Sequence, residues 1–298
     1  MNLTEYSDLV KSAKKNYKFL TINPSCETHA QELLTDKKRV CFLRHDIDFS
    51  PRNALRMAQV EKKHDVKATY TILLTGEFYN PFEKKNRGYL CEIVSHGHQV
   101  GLHFDPKIHD IKNEQDLDSA IKSEKRALED LIEKEVNMFS FHNTTDFSMS
   151  CRKKFYGECQ NAYSDFFHNE VEYTSDSNGY WRHRDWKQIL SENHDVIQIL
   201  THPVWWQPDN SLPPLETVMK FMFDNYKEQM EFYNGLFENQ TERENISLMS
   251  DILKSNDKIN DTDILNKYVN NNSTYNFITS NNANFSEIEK LFDQLLKK

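Results

Sequence analysis

No stretch of this sequence approaches the roughly 20 consecutive apolar residues that a helix needs to cross a bilayer, so no membrane span is expected. Cysteine is scarce and poorly spaced for chemistry. Cys26, Cys41, Cys91, Cys151 and Cys159 are odd in number and contain no Cys-x-x-Cys pair, which argues against a disulfide framework and a thiolate zinc site. Cys41 and Cys91 sit in apolar surroundings suited to reduced core thiols. Positive charge is in deficit as well: 37 Lys and Arg face 46 Asp and Glu, a formal net charge of -9 that repels a phosphate backbone. Nucleic acid is therefore not an expected partner. The opening segment, MNLTEYSDLVKSAKKNYKFL, lacks an uninterrupted apolar core followed by a small-residue cleavage site, and the expectation from it is a cytoplasmic location.

What the sequence does contain is a regular alternation of short β-type runs with helical patterns. VCFLRHD, KATYTILLT, HQVGLHFD, VNMFSFHN, VEYTSDS and VIQILTHP are expected to be core strands. Between them, PRNALRMAQVEKKH opens with a helix-compatible proline, and Leu117, Ala120, Ile121, Leu128, Leu131 and Ile132 recur at helical spacing. Repeated β-α alternation predicts parallel strands covered by helices, as a barrel or an open doubly wound sheet. The polar residues favour the barrel, because nearly every strand ends on its carboxyl side in a group able to do chemistry. These are Asp46 and Asp48, Thr75, His103, His142, Asp176 and His202, and in a β/α barrel such ends meet at one face. Residues 1–37 are expected to form an N-terminal helical cover and 38–238 the barrel. Residues 239–298, rich in Asn, Asp, Ser and Lys, are expected to be a C-terminal helical appendage.

Each candidate also has a plainer reading. Asp46 and Asp48 can share the barrel mouth, one ligating a divalent metal while the other accepts a proton; otherwise the segment is a strand end in which Asp48 or Ser50 caps the Pro51 helix. Of His96, His98, His103 and His109, His103 alone falls at a strand terminus and suits a metal, whereas His96 and His98 read as turn residues around Gly97. His142 is a metal or substrate contact, or a capping histidine. His202, fixed before Pro203, suits a general acid, and Asp176 can orient it as a carboxylate orients a triad imidazole. Of Trp205 and Trp206, one is expected in the core and the other as a platform for a sugar ring. Arg184 is read as one of a surface arginine cluster.

Taken in order, these segments resemble the polysaccharide deacetylase family, also called the NodB-homology fold, over residues 38 to 235. The resemblance implies a deformed or incomplete TIM-like β/α barrel. RHDID resembles the first family motif, implying Asp46 as catalytic base and Asp48 as metal ligand, and GHQVGLHFD resembles the approach to the second, implying His103 as a ligand. FSFHNT stands in the place of the third, DSNGYW in that of the fourth with Trp181 lining the pocket, and LTH in that of the fifth with His202 as the acid. There are two departures. Lys107 occupies the position of the second motif's further histidine, leaving His142 or His109 as the third ligand, with His142 preferred because a strand end is more rigid than a loop. His142-Asn143-Thr144 stands where an arginine pairing the base is usual, so Arg44 or Arg182 is expected to replace it. Arg44, Asp176, Trp181 and Arg182 complete the expected substrate-side set.

The function so implied is a metal-dependent, most simply zinc-dependent, hydrolase that removes an N-acetyl group from a sugar or cell-surface glycan precursor, with a carbohydrate as its partner. The alternatives are an inactive deacetylase-like protein that binds glycan, and a hydrolase of another amide or ester.

Overall fold

The computed structural model describes residues 1–182, 184–208 and 212–238, with 233–238 described by backbone alone. The expected appendage, 239–298, lies outside the described residues. The run Arg39–Ile47 is buried at every position after the first, as a strand covered on both faces requires. It forms β2, and the other elements follow in β-α order. They are α1 (Leu3–Asn16), β1 (Tyr17–Leu20), α2 (Cys26–Thr35), α3 (Pro51–Lys63), β3 (Thr69–Ile72), α4 (Lys84–Ser95), β4 (Gln99–Phe104), α5 (Glu114–Ile132) and β5 (Met138–Phe141). Then come α6 (Asp146–Ser150), β6 (Phe155–Tyr156), β7 (Cys159–Asn161), α7 (Asp165–Asn169), β8 (Glu172–Ser175), α8 (Trp186–Ser191), β9 (Val196–Thr201) and α9 (Pro214–Glu238).

The nine strands make one sheet in the order β6-β7-β5-β4-β3-β2-β9-β8, with β1 added beside β2. Every pairing is parallel except the short β6-β7 ribbon. Among the described residues β6 and β8 do not meet, so the sheet is a deformed, incomplete barrel. Residues ahead of β2 contribute a strand as well as helices: β1 runs beside Arg39–Phe42, and Ile22 N–H donates to Thr69 Oγ1 (2.9 Å) where β3 takes over that edge.

Strand alternation in β2 sorts its side chains between two buried clusters. Cys41, Leu43 and Ile47 pack with the helices α1, α3 and α4, whereas Val40 and Phe42 face Phe166 and Phe167 of α7. Arg44 and Asp46, at two-residue spacing from Phe42, share its face. The helices have ordinary start signals. Ser50 caps α3 by accepting from Asn53 N–H with Pro51 next in line, and Asn113 caps α5 by accepting from Gln115 and Asp116. Ser50, rather than Asp48, is thus the cap. A close approach of β4 and β5 requires Gly101, since a Cβ there would lie 1.7 Å from Met138 Sδ.

Two compact units are present. Met1–Phe221 holds the sheet and its helices; Met222–Lys298 is helical through Glu238. No described helix is long and apolar enough to cross a membrane.

Candidate metal and acid-base site

Parallel register brings the carboxyl ends of β2, β3, β4, β5, β8 and β9 to one side of the sheet. A cavity of about 880 Å³ opens there, lined at its floor by Arg44, Asp46, Asp48, His103, His142 and His202.

Asp48 Oδ1 lies 3.1 Å from His103 Nε2 and 3.5 Å from His142 Nδ1, and the two ring nitrogens are 3.1 Å apart. A tetrahedral ion with ligands at about 2.0–2.1 Å holds its ligand atoms roughly 3.3 Å from one another, so these spacings fit a divalent cation. Hydrogen-bond bookkeeping agrees. Ser140 Oγ donates to Thr71 Oγ1 (3.3 Å), which donates to Asp46 Oδ1 (2.7 Å). With its own hydrogen committed, Ser140 accepts from His103 Nδ1 (2.8 Å), and the Nε2 lone pair of a neutral ring then faces Asp48. Asp48 Oδ1 is itself buried without a hydrogen-bond donor. Two histidines and one carboxylate are a donor set suited to a borderline ion such as zinc. His109, the other candidate ligand, is elsewhere: its ring stacks on Phe104 (5.0 Å, 9°) and its Nε2 meets Glu124 Oε1 at 2.5 Å.

Asp46 is buried and held in a fork by Arg44, with Nε to Oδ1 and a terminal nitrogen to Oδ2 both at 3.0 Å. Burial disfavours its charge, but Arg44, then His103 and His202, outweigh it and hold the carboxyl down at about 2. Burial likewise opposes ionisation of Asp48, and the close approach of His103 and His142, with His202 behind them, overcomes it, leaving its pKa well below the usual carboxylate range. Of the two arginines expected to pair with Asp46, Arg44 is the one that does so. Arg182 lines the cavity at an exposed position.

His202 is positioned from behind. Asp176 accepts from its backbone N–H (2.9 Å) and meets Nδ1 at 2.7 Å, while Trp206 Nε1 donates to the other oxygen (2.8 Å). Burial lowers the affinity of His202 for a proton, yet Asp176, Asp48 and Asp46 raise its pKa to about 9. Its Nε2 is 3.9 Å from Asp48 Oδ2. Burial pushes the Asp176 carboxyl up against the lowering effect of His202; the close, hydrogen-bonded geometry favours an ion pair.

Two residues expected on the substrate side, Asp176 and Trp181, do not line the cavity, and Asp176 has the orienting contact with His202 that was also expected of it. Asp176 is fully buried with both oxygens engaged, so it positions His202 and does not face the cavity. Trp181 packs edge-on against Trp206 (6.3 Å, 71°) and is absent from the lining; Trp205 supplies the aromatic wall, and Trp206 is the core tryptophan. Arg184 pairs with Glu172 and Glu192. Thr71 was not among the candidates, and as one of two threonines in the four residues of β3 it carried no signal of its own.

No protein-family model matches the chain, and no curated protein matches it. Solved structures do match, and they include polysaccharide deacetylases and carbohydrate esterases of family CE4. One is a mutant of BA3943, a CE4 family pseudoenzyme of Bacillus anthracis, with restored enzymatic activity. It is 18% identical with a TM-score of 0.38, and the match covers 64% of each chain, so this chain spans less than two thirds of that structure. A second is the Streptococcus pyogenes deacetylase PplD in complex with acetate, 16% identical over 73% of this chain and 85% of that one, TM-score 0.37. A third is the chitin deacetylase of the fungal pathogen Colletotrichum lindemuthianum, 14% identical over 61% of this chain and 80% of that one, TM-score 0.39.

Proposed function

We propose that the chain is a metal-dependent hydrolase of the polysaccharide deacetylase type that removes the N-acetyl group of an amino sugar. One observation carries this reading: a compact Asp48-His103-His142 donor set lies beside an arginine-held carboxylate, Asp46, and a carboxylate-held imidazole, His202. Zinc is the ion proposed, and it supplies Lewis-acid polarisation of the acyl carbonyl. Asp46, fixed by Arg44 and Thr71, accepts the proton of the attacking water. His202, its other ring nitrogen held by Asp176, donates a proton to the departing amine nitrogen. Trp205 and Tyr163 line the cavity where a sugar ring would pack. Acetate and the free amino sugar are the products.

The reading is tested by stoichiometric metal analysis and acetate release from N-acetylated sugars. Wild type binds one divalent ion per chain and releases acetate, whereas Asp46→Asn and His202→Ala keep the ion and lose turnover. Protein that holds no ion refutes the metal assignment, and unchanged turnover in either variant removes that residue from the chemistry. A second reading, a glycan-binding relative without turnover, is favoured by Lys107 standing where the resembling family has a histidine. It predicts sugar binding with no acetate from any substrate.

A further inference from the structure

The cavity differs in charge from the rest of the chain. The whole sequence carries a net -9, yet beyond the carboxylates Asp46 and Asp48 every charged side chain lining the cavity is a cation: Arg44, Lys107, Arg152 and Arg182. Arg44 is committed to Asp46. The other three come from separate segments, after β4, after α6 and after β8, and Lys107 and Arg182 are exposed. Arg152 is half-buried, with one guanidinium contact to Tyr163 carbonyl oxygen at 3.4 Å. No carboxylate of the lining faces these cations, and a divalent ion on the floor makes the cavity more positive still. Cations gathered on a low-dielectric wall without compensating carboxylates raise the local concentration of an anion and leave that of a neutral sugar unchanged.

We propose that the substrate is an N-acylated amino sugar that carries a phosphate group, its negative charge met by Lys107, Arg152 and Arg182 and its ring packed on Trp205. This rests on the hydrolase reading for the acyl group and adds the substrate class. Phosphate is favoured over a carboxylate because two guanidinium groups and an ammonium group offer more donors than the two oxygens of a carboxylate can take, and a phosphate presents three or more. Lys107 then has a role of its own: the residue that replaces an expected ligand becomes part of the anion wall.

The test measures binding, by calorimetry, to the full-length protein held in chelator, so that neither turnover nor a metal ion enters the readout. The probes are N-acetylglucosamine, N-acetylglucosamine 1-phosphate and UDP-N-acetylglucosamine. The expected result is at least about tenfold tighter binding of a phosphorylated probe, the loss that removal of one charged hydrogen bond causes. This preference shrinks as salt shortens the Debye length from about 30 Å to about 8 Å, and falls to near unity in Lys107→Gln/Arg152→Gln/Arg182→Gln. Should the half-buried Arg152 variant fail to fold, Lys107→Gln/Arg182→Gln, both at exposed positions, carries the comparison. Tighter binding of the nucleotide sugar than of the 1-phosphate assigns the charge to a diphosphate; the reverse assigns it to a monoester. Equal affinity for neutral and phosphorylated sugars, a preference that survives the substitutions, or no saturable binding of either phosphorylated probe overturns the proposal. Acetate release from neutral sugars without any phosphate preference overturns this inference and leaves the hydrolase reading standing; phosphate preference without acetate release does the opposite.

Discussion

Replacing Glu61 with leucine removes the acceptor at the centre of a buried network on the helix side of β2. Glu61 is fully buried on the inward stripe of α3. It accepts from the Tyr6 hydroxyl of α1 in a short contact, from the Tyr70 hydroxyl of β3 at 2.7 Å, and meets His45 Nε2 of β2 at 2.6 Å. After Glu61→Leu, Tyr6 and His45 Nε2, already 3.2 Å apart, can satisfy each other, but the Tyr70 hydroxyl is left buried and unpaired. One orphaned donor costs about 1–3 kcal/mol and the lost charge-assisted bonds a similar amount, so the expected destabilisation is about 2–6 kcal/mol. That corresponds to a fall in Tm on the order of 10 °C. Glu61→Gln, which keeps the shape and one acceptor, should lose less. Burial disfavours the Glu61 charge, but His45 and the hydrogen bonds outweigh it and lower its pKa. A carboxylate with a depressed folded-state pKa contributes stability above its unfolded value, roughly 4.3, and loses it as pH falls through the folded value. The gap between wild type and Glu61→Gln in urea unfolding is therefore wide at pH 7 and narrows below about pH 4. Both variants costing under about 1 kcal/mol, or a gap that stays constant on acidification, would refute this account of the network.

Three further outcomes are expected. His142→Ala should abolish stoichiometric metal binding, while His109→Ala, whose ring is occupied with Phe104 and Glu124, should leave it intact on metal analysis. Asp176→Asn should lower kcat by about a hundredfold or more with the ion retained, since it frees the His202 ring to misorient. Arg44→Met strands the buried Asp46 charge and should cost about 3–5 kcal/mol in urea unfolding, most of it recovered in Arg44→Met/Asp46→Leu.

The central strands β2, β4, β5 and β9 were legible in the sequence because a parallel strand covered on both faces is a mostly apolar run, whereas β3 (TYTI) and β8 (EYTS) were legible through their aromatic and β-branched residues. The remaining three were hidden for different reasons. β1 follows α1 directly, with no turn residue between Asn16 and Tyr17 to announce a change of period. β6 and β7 are joined through Gly157 and Glu158, with φ of 57° and 64°; both central residues of such a turn need positive φ, and a glutamate there does not advertise it. Of the site, Arg44 and Asp46 could be placed on one face by alternation, and the strand-end histidines by their position. Glu61 could not, because an acidic residue in a helix reads as solvent-facing until donors from three distant elements are seen around it. His98 reads as a turn residue beside Gly97 for the same reason, yet it is buried, accepts from Ala68 N–H at 3.2 Å and packs against Tyr70. Trp181 was placed by motif order alone, and motif order does not determine which way a ring turns after a 3₁₀ turn.

The pairing of β2 with β9 has a kinetic consequence. It joins residues 156 positions apart, as the His45–Thr201 contact shows, and such non-local closure is slow because chain entropy is lost before the contact forms. His202 emerges about 150 residues after Asp46 and Asp48, at a translation rate of about 5–20 residues per second. For many seconds the nascent chain carries the floor of the cavity without its acid, and the complete constellation exists only once the last parallel strand has docked.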